Sequence, residues 1–211
     1  MKSLKISLKK GDLKIAEQFA EDRVNISMDH YERRGQKNID KIMYDIKIGA
    51  LGEIAIYRML KKFGIKTNEP DFKIYAKKDK SYDADFTDDK GINFHCKSQS
   101  EESAAQYGNS YILQYGGNGN GHTDKLFRNC TNRDFLIPCL VSLSSQEVEI
   151  FGCYKLETIF KKHLVKMPRV KWLEYSKRAI YLEDLLKLTE AQRWSKIFKR
   201  HQKDKLAKSE E

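Results

Sequence analysis

Two acids and a lysine stand close together in this chain in a pattern that could do chemistry. Asp83 and Asp85 lie in Tyr82-Asp83-Ala84-Asp85-Phe86, and Lys97 follows in Phe94-His95-Cys96-Lys97-Ser98-Gln99. Carboxylates hold a hard divalent cation, and an ammonium beside them steers or activates an attacking water. Hydrolysis of a phosphodiester needs that combination. Ile92, Phe94 and Cys96 alternate with Asn93, His95, Lys97 and Gln99, which predicts a strand with one apolar and one polar face. The same period puts Asp83, Asp85 and Thr87 on one side of a preceding strand. If a polar turn pairs the two strands, acids and ammonium converge on one edge. The ordinary alternative is that Asp and Lys near a hairpin turn are merely solvated.

A third element adds weight to the site reading. Over residues 38–64 apolar side chains recur at helical spacing, and Gly64 closes the run as a C-terminal cap. At about 100° per residue, Ile39, Ile46, Ala50, Glu53, Tyr57 and Leu60 fall on one stripe. Glu53 is therefore a carboxylate in the middle of an apolar face, where it costs stability unless it is paired or bound to a metal.

A helix with Gly49-Ala50-Leu51-Gly52-Glu53, a strand with Asp85 and a following strand with His95-Cys96-Lys97 together resemble the PD-(D/E)xK nuclease superfamily, also called restriction-endonuclease-like. The resemblance covers residues 39–99 and extends more loosely to about residue 154. It implies an α/β fold with a mixed central β-sheet flanked by helices, and a DNA endonuclease of restriction, phage or mobile-element type that uses Mg²⁺, with Mn²⁺ as the alternative. By that resemblance Glu53 is the helix-borne acid, Asp85 the strand-borne metal ligand and Lys97 the signature lysine. The Cys96 backbone carbonyl would be a further ligand. Asp83 stays open as the alternative to Asp85, which is preferred because it directly precedes the apolar Phe86.

His95 departs from the pattern, because the family usually has Glu or Asp there. Neutral imidazole is a poor ligand for Mg²⁺, which prefers oxygen. Either Glu53 or Asp83 supplies the missing carboxylate, or the site favours Mn²⁺, or catalysis has been lost. His95 would then position water or a phosphate oxygen. Gln99, on the same face, is a candidate contact to the scissile strand, with simple exposure as the alternative.

Composition is compatible with a polyanionic partner. The 211 residues carry 40 Lys and Arg against 30 Asp and Glu, a formal net charge of +10. Such a balance favours nucleic acid, here DNA, although a merely lysine-rich protein has the same charge. Cys96, Cys130, Cys139 and Cys153 lack Cys-x-x-Cys spacing and a matched His pair, so zinc is not expected. Cys96, Cys139 and Cys153 sit in apolar runs and read as buried thiols of a reducing, cytoplasmic environment. No stretch approaches the ~20 apolar residues of a membrane span, so no membrane association is expected. No ATPase motif is present, which argues against a self-contained motor nuclease. A homodimer is compatible with the resemblance, since many such nucleases pair to cut both strands.

The chain reads as a single nuclease-like domain in three parts. Residues 1–38 form a helical extension, with a polar helix over 12–34. Residues 39–154 form the core, with a helix and then strands near 72–76, 83–87, 92–98, 110–115, 135–143 and 147–154. Residues 155–211 form a basic helical extension. Pro138 argues that its strand lies at an edge or carries a bulge, and Ser144-Ser145-Gln146 reads as a hairpin turn. Gly116-Gly117-Asn118-Gly119-Asn120-Gly121-His122 is expected to be a mobile loop, with contact to DNA backbone as the lesser alternative. Residues 192–205 read as a helix docked by Trp194 and Phe198. Its Lys196, Lys199 and Arg200 would contact phosphates, or else face solvent as ordinary surface charges. Two non-enzymatic alternatives remain: a PD-(D/E)xK-like scaffold that binds nucleic acid without cutting it, and a protein-binding inhibitor.

Overall fold

A computed structural model describes residues 3–32, 37–75, 84–116, 123–124, 126–127 and 130–194. At its centre lies β5 (Asp134–Ser142), whose residues 134–139 are all buried. A strand apolar on both faces must be covered twice. On one face Phe135, Ile137, Cys139 and Val141 meet the long helix α2 (Ile39–Lys62), which a second long helix, α1 (Lys10–Glu32), covers from outside. On the other, Leu136 and Leu140 meet a second apolar cluster, built on β4 (Ser110–Gln114), β9 (Lys177–Tyr181) and the short helices Leu156–Lys161 and Leu182–Leu185.

The main sheet is mixed. β1 (Leu4–Ser7), β6 (Glu147–Ile150), β5, β3 (Asn93–Ser100) and β2 (Phe86–Thr87) lie side by side in that order, and β7 (Tyr154–Lys155) also pairs with β5. β3 and β5 run parallel, with Cys96 opposite Ile137 and Lys97 opposite Pro138. The other pairs are antiparallel, and an isolated bridge from Thr67 to Asp88 adds one more rung beyond β2. β4, β9 and β8 (Val165–Lys166) form a separate antiparallel sheet. The protein is thus mixed α/β, with helices against its central sheet. Among the described residues no helix is long and apolar enough to cross a membrane.

Local chemistry accounts for α2. The Asn38 side chain accepts from Lys41 N–H at 3.0 Å at its start, the usual N-cap bond. At its end Gly64 takes φ +75°, Gly64 N–H donates to Lys61 and Ile65 N–H donates to Leu60. These two bonds and a left-handed glycine make a Schellman ending. α2 buries far more than one stripe, because α1 packs on its outer side and the sheet on its inner side. Arg58 of α2 forms a two-pronged ion pair with the buried Asp12, which also accepts from Lys9 N–H at the start of α1.

Several expectations are corrected. β5 is central rather than an edge strand. The Pro138 carbonyl accepts from Phe151 N–H at 3.1 Å, so the residue's polar groups face the gap between β6 and β7. The missing proline N–H falls where β5 changes antiparallel partner, and no ladder bond is lost. Residues 72–75 are not a strand. The segment after residue 155 is not uniformly helical, since it supplies β8 and β9, and the N-terminal segment supplies β1. The short helix Glu190–Arg193 stops at Trp194, which is extended, buried and bridged to Cys153. The hairpin turn between β5 and β6 forms, with Gln146 at φ +51°.

Candidate active site

The β2–β3 hairpin forms as the alternation predicts, and its two ends explain why β2 is so short. At the turn, Asp88 Oδ1 accepts from Lys90 N–H at 2.9 Å and Ile92 N–H at 2.7 Å, with Gly91 at φ +71°. A side chain that bonds the backbone two residues on is a standard turn former. At the other end Asp85 Oδ2 accepts from Cys96 N–H at 2.6 Å. A carboxylate here replaces the backbone carbonyl that a longer β2 would have offered. The N–H and C=O of one strand residue point to the same side. The Cys96 carbonyl therefore faces the same edge as Asp85.

β3 presents its two faces as expected. Phe94 is fully buried toward α2, a burial worth roughly 1.5–3 kcal/mol. Ser98 lies under Gly52, so that α2 and β3 approach closely at the residue next to Glu53. Glu53 is half-buried on the sheet-facing side of α2, and its charge acts on the thiols of Cys96 and Cys139. Burial first, then Asp85 and Glu53, pushes the Cys96 thiol well above its ordinary range. The two acids therefore both bear on Cys96, one from the hairpin and one from the helix.

The opposite face of β3 carries His95, Lys97 and Gln99. His95 Nε2 lies 3.0 Å from Asp134 Oδ1, and Lys97 Nζ lies 3.8 Å from Asp124 Oδ2. Both side chains also act on Asp85. Burial raises the Asp85 carboxyl above the usual carboxylate range, and the Cys96 N–H, Lys97 and His95 offset burial only in part. An under-compensated, half-buried carboxylate of this kind would be relieved by a bound cation. Asp134 is the contrasting case. Its burial is outweighed by bonds from His95, from the Thr131 hydroxyl at 2.6 Å and N–H at 2.7 Å, and from Asn93 at 3.1 Å, so its carboxyl is held low.

Gln99 is placed differently from the expected exposed contact. It is 8% exposed, donates to the Gly108 carbonyl at 3.0 Å and accepts from Ser110 N–H at 2.8 Å. Its amide ties β3 to the start of β4, because β4 covers that end of the polar face. Asp83, Lys196, Lys199, Arg200 and most of the glycine-rich loop lie outside the described residues.

Sequence reasoning did not select Asp134 and Asp124. Asp134 carries a signal, since it is an acid directly before the apolar run of β5, just as Asp85 directly precedes Phe86. Asp124 carries none, because its approach to Lys97 depends on the path of the chain after β4. The four cysteines are free thiols, and Cys139 and Cys153 are buried.

The donors present suit a hard cation. Asp85, Glu53 and the Cys96 carbonyl offer oxygen. Among the described residues no group of three or more His, Cys, Asp or Glu is arranged around a single metal position. Mg²⁺ does not require one, since it is usually held by one or two carboxylates, water and substrate phosphate. In comparison with known proteins, no family model matches the chain, and no curated protein or solved structure matches it either.

Proposed function

We propose that this chain is a metal-dependent endonuclease that hydrolyses DNA phosphodiesters, with a restriction-endonuclease-like core. The observation that carries the reading is the arrangement around Cys96. The half-buried Asp85 carboxylate bonds its N–H, Glu53 approaches from α2, and His95 and Lys97 flank it on β3. The order of helix acid, hairpin acid and strand lysine is the order that the resemblance implies.

Asp85, the Cys96 carbonyl and Glu53 would hold Mg²⁺ or Mn²⁺. When bound, the ion lowers the pKa of a coordinated water and neutralises charge on the phosphoryl group. Lys97, partly exposed beside Asp124, orients the attacking water and stabilises the negative charge that develops on the phosphate oxygens. The Asp134 carboxylate fixes the His95 ring by its Nε2, so that the ring positions a water or phosphate oxygen without free rotation. The protein would act in the cytoplasm, on DNA, as a monomer or a homodimer.

The test is incubation of purified protein with supercoiled plasmid in Mg²⁺ and in Mn²⁺, beside EDTA and Lys97→Ala controls. Nicked or linear products that vanish in both controls support the reading, and wild-type cleavage by Lys97→Ala would sink it. A second reading, a scaffold that binds nucleic acid without cutting, is favoured by one observation. Lys97 and His95 each already have a carboxylate partner. Salt-sensitive binding with no cleavage in either metal would select it.

A further inference from the structure

We propose that residues 166–178 form a platform on which an unpaired stretch of nucleic acid stacks, beside the candidate active site. The proposal rests on the nucleic-acid reading above and adds the form of the substrate. Trp172 and Tyr175 are each 72% exposed, more than any other large apolar side chain among the described residues. They sit in a tight connection between β8 and β9, the 3₁₀ helix Lys171–Leu173 and the turn after it. The connection is closed by Leu173 N–H to Val170 at 3.0 Å, Glu174 N–H to Lys171 at 3.1 Å and Ser176 N–H to Leu173 at 3.1 Å. Side chains three apart in such turns lie on the same side. Leu173 between them is partly buried, so the segment anchors itself without using either ring.

Two large rings left in water three residues apart mark a binding surface, and the surrounding charge indicates for what. The segment carries Lys166, Arg169, Lys171, Lys177 and Arg178 against Glu174. Lys166 is paired with Asp184 and Arg169 with Glu183, which leaves Lys171 and Arg178 without an acidic partner among the described residues. Lys171, next to Trp172, is exposed. Cations interleaved with flat rings suit a polyanion that also offers flat faces. Every nucleobase has such a face, but a duplex hides it within the stack, so unpaired bases fit and paired ones do not.

The platform also leads to the site. Tyr115 N–H donates to the Ser176 carbonyl at 2.9 Å, and the Arg178 guanidinium lies 3.8 Å from the centre of the Tyr115 ring. The next residue back, Gln114, accepts from Asp124 N–H at 2.8 Å, and Asp124 pairs with Lys97. A strand stacked on Trp172 and Tyr175 thus lies beside the backbone that delivers Asp124 to Lys97.

The chain has two tryptophans, and they report separately: Trp172 is exposed and Trp194 is buried at 3%. The experiment titrates the full chain, in EDTA, with single-stranded oligothymidylate and with a duplex of equal length while reading tryptophan emission. The expected result is quenching by the single strand with affinity at least ~10-fold above the duplex. Read by the anisotropy of a fluorescein-labelled oligothymidylate, because the Trp172 variants lose the exposed reporter, Trp172→Ala and Tyr175→Ala should each weaken that affinity ~10-fold, and Trp172→Phe should retain most of it. Equal binding of duplex and single strand, or affinity unchanged in Trp172→Ala, overturns the proposal. So does binding to heparin as tight as to the oligonucleotide without quenching. Because quenching is read without metal, the two readings fail separately. Quenching by a protein that never cleaves plasmid retires the nuclease and keeps the platform, whereas cleavage without quenching does the reverse.

Discussion

Gly52 of α2 lies so close to Ser98 of β3 that a methyl group on the glycine would sit 1.9 Å from the serine hydroxyl oxygen and 3.0 Å from its Cβ. Cys139 Sγ would be 3.1 Å away. The contact sets the helix-to-sheet distance at the residue beside Glu53. Gly52→Ala should therefore cost about 1–3 kcal/mol through overpacking, measured by urea denaturation, and should impair cleavage with it. Ser98→Gly in the same chain should recover part of both losses, and strictly additive effects would show that the two residues do not compete for space.

Lys97 is partly exposed and its only ion-pair partner among the described residues is Asp124 at 3.8 Å, so it contributes little to the fold. Lys97→Ala should reduce the cleavage rate by roughly 10²–10⁴-fold while the melting temperature stays within a few degrees of wild type. A large loss of stability would instead make Lys97 a structural residue.

Asp134 collects His95, Thr131 and Asn93 around one buried carboxylate. Its folded pKa is lowered, so the stability it adds is present above the ordinary carboxylate range and is lost as pH falls through the folded value. Asp134→Asn should be destabilised by roughly 1.5–3 kcal/mol near neutral pH. The gap from wild type should narrow progressively as pH falls below about 4. Denaturation curves across that range check the sign, and a gap that widens in acid would refute the assignment.

Asp85 has the opposite sign. Burial raises its folded pKa, so its contribution is favourable below the ordinary carboxylate range and is lost as pH rises through the raised value. At neutral pH the charged carboxylate is a cost. Asp85→Asn keeps an acceptor for Cys96 N–H and removes the charge. Its melting temperature in EDTA should equal or exceed that of wild type, while cleavage is lost. Mg²⁺ should raise the melting temperature of wild type and not of the variant.

The local features were legible in the sequence because they depend on neighbours a few residues apart. The alternation through Phe94, Cys96 and Lys97 built β3, Asn38 and Gly64 bounded α2, and the stripe through Glu53 pointed that acid at the sheet. Pro138 misled, because a proline shows that one N–H is missing but not which side of the strand lacks a partner. Gln99 misled as well, since alternation assigns a face but not what covers it, and β4 covers that one.

What tertiary structure alone decided is the set of partners around the site. His95 meets Asp134 because β3 and β5 run parallel in one particular register, 39 residues apart in sequence. Lys97 meets Asp124 because the Asp124 N–H bonds the Gln114 carbonyl at the end of β4, and the turn that carries Trp172 and Tyr175 is tied to the residue after β4 because β9 pairs with that strand. Periodicity along the chain specifies which way a side chain points. Which group it meets there is set by non-local pairing, whose free energy comes from burying β5 on both faces and is not written in any one segment.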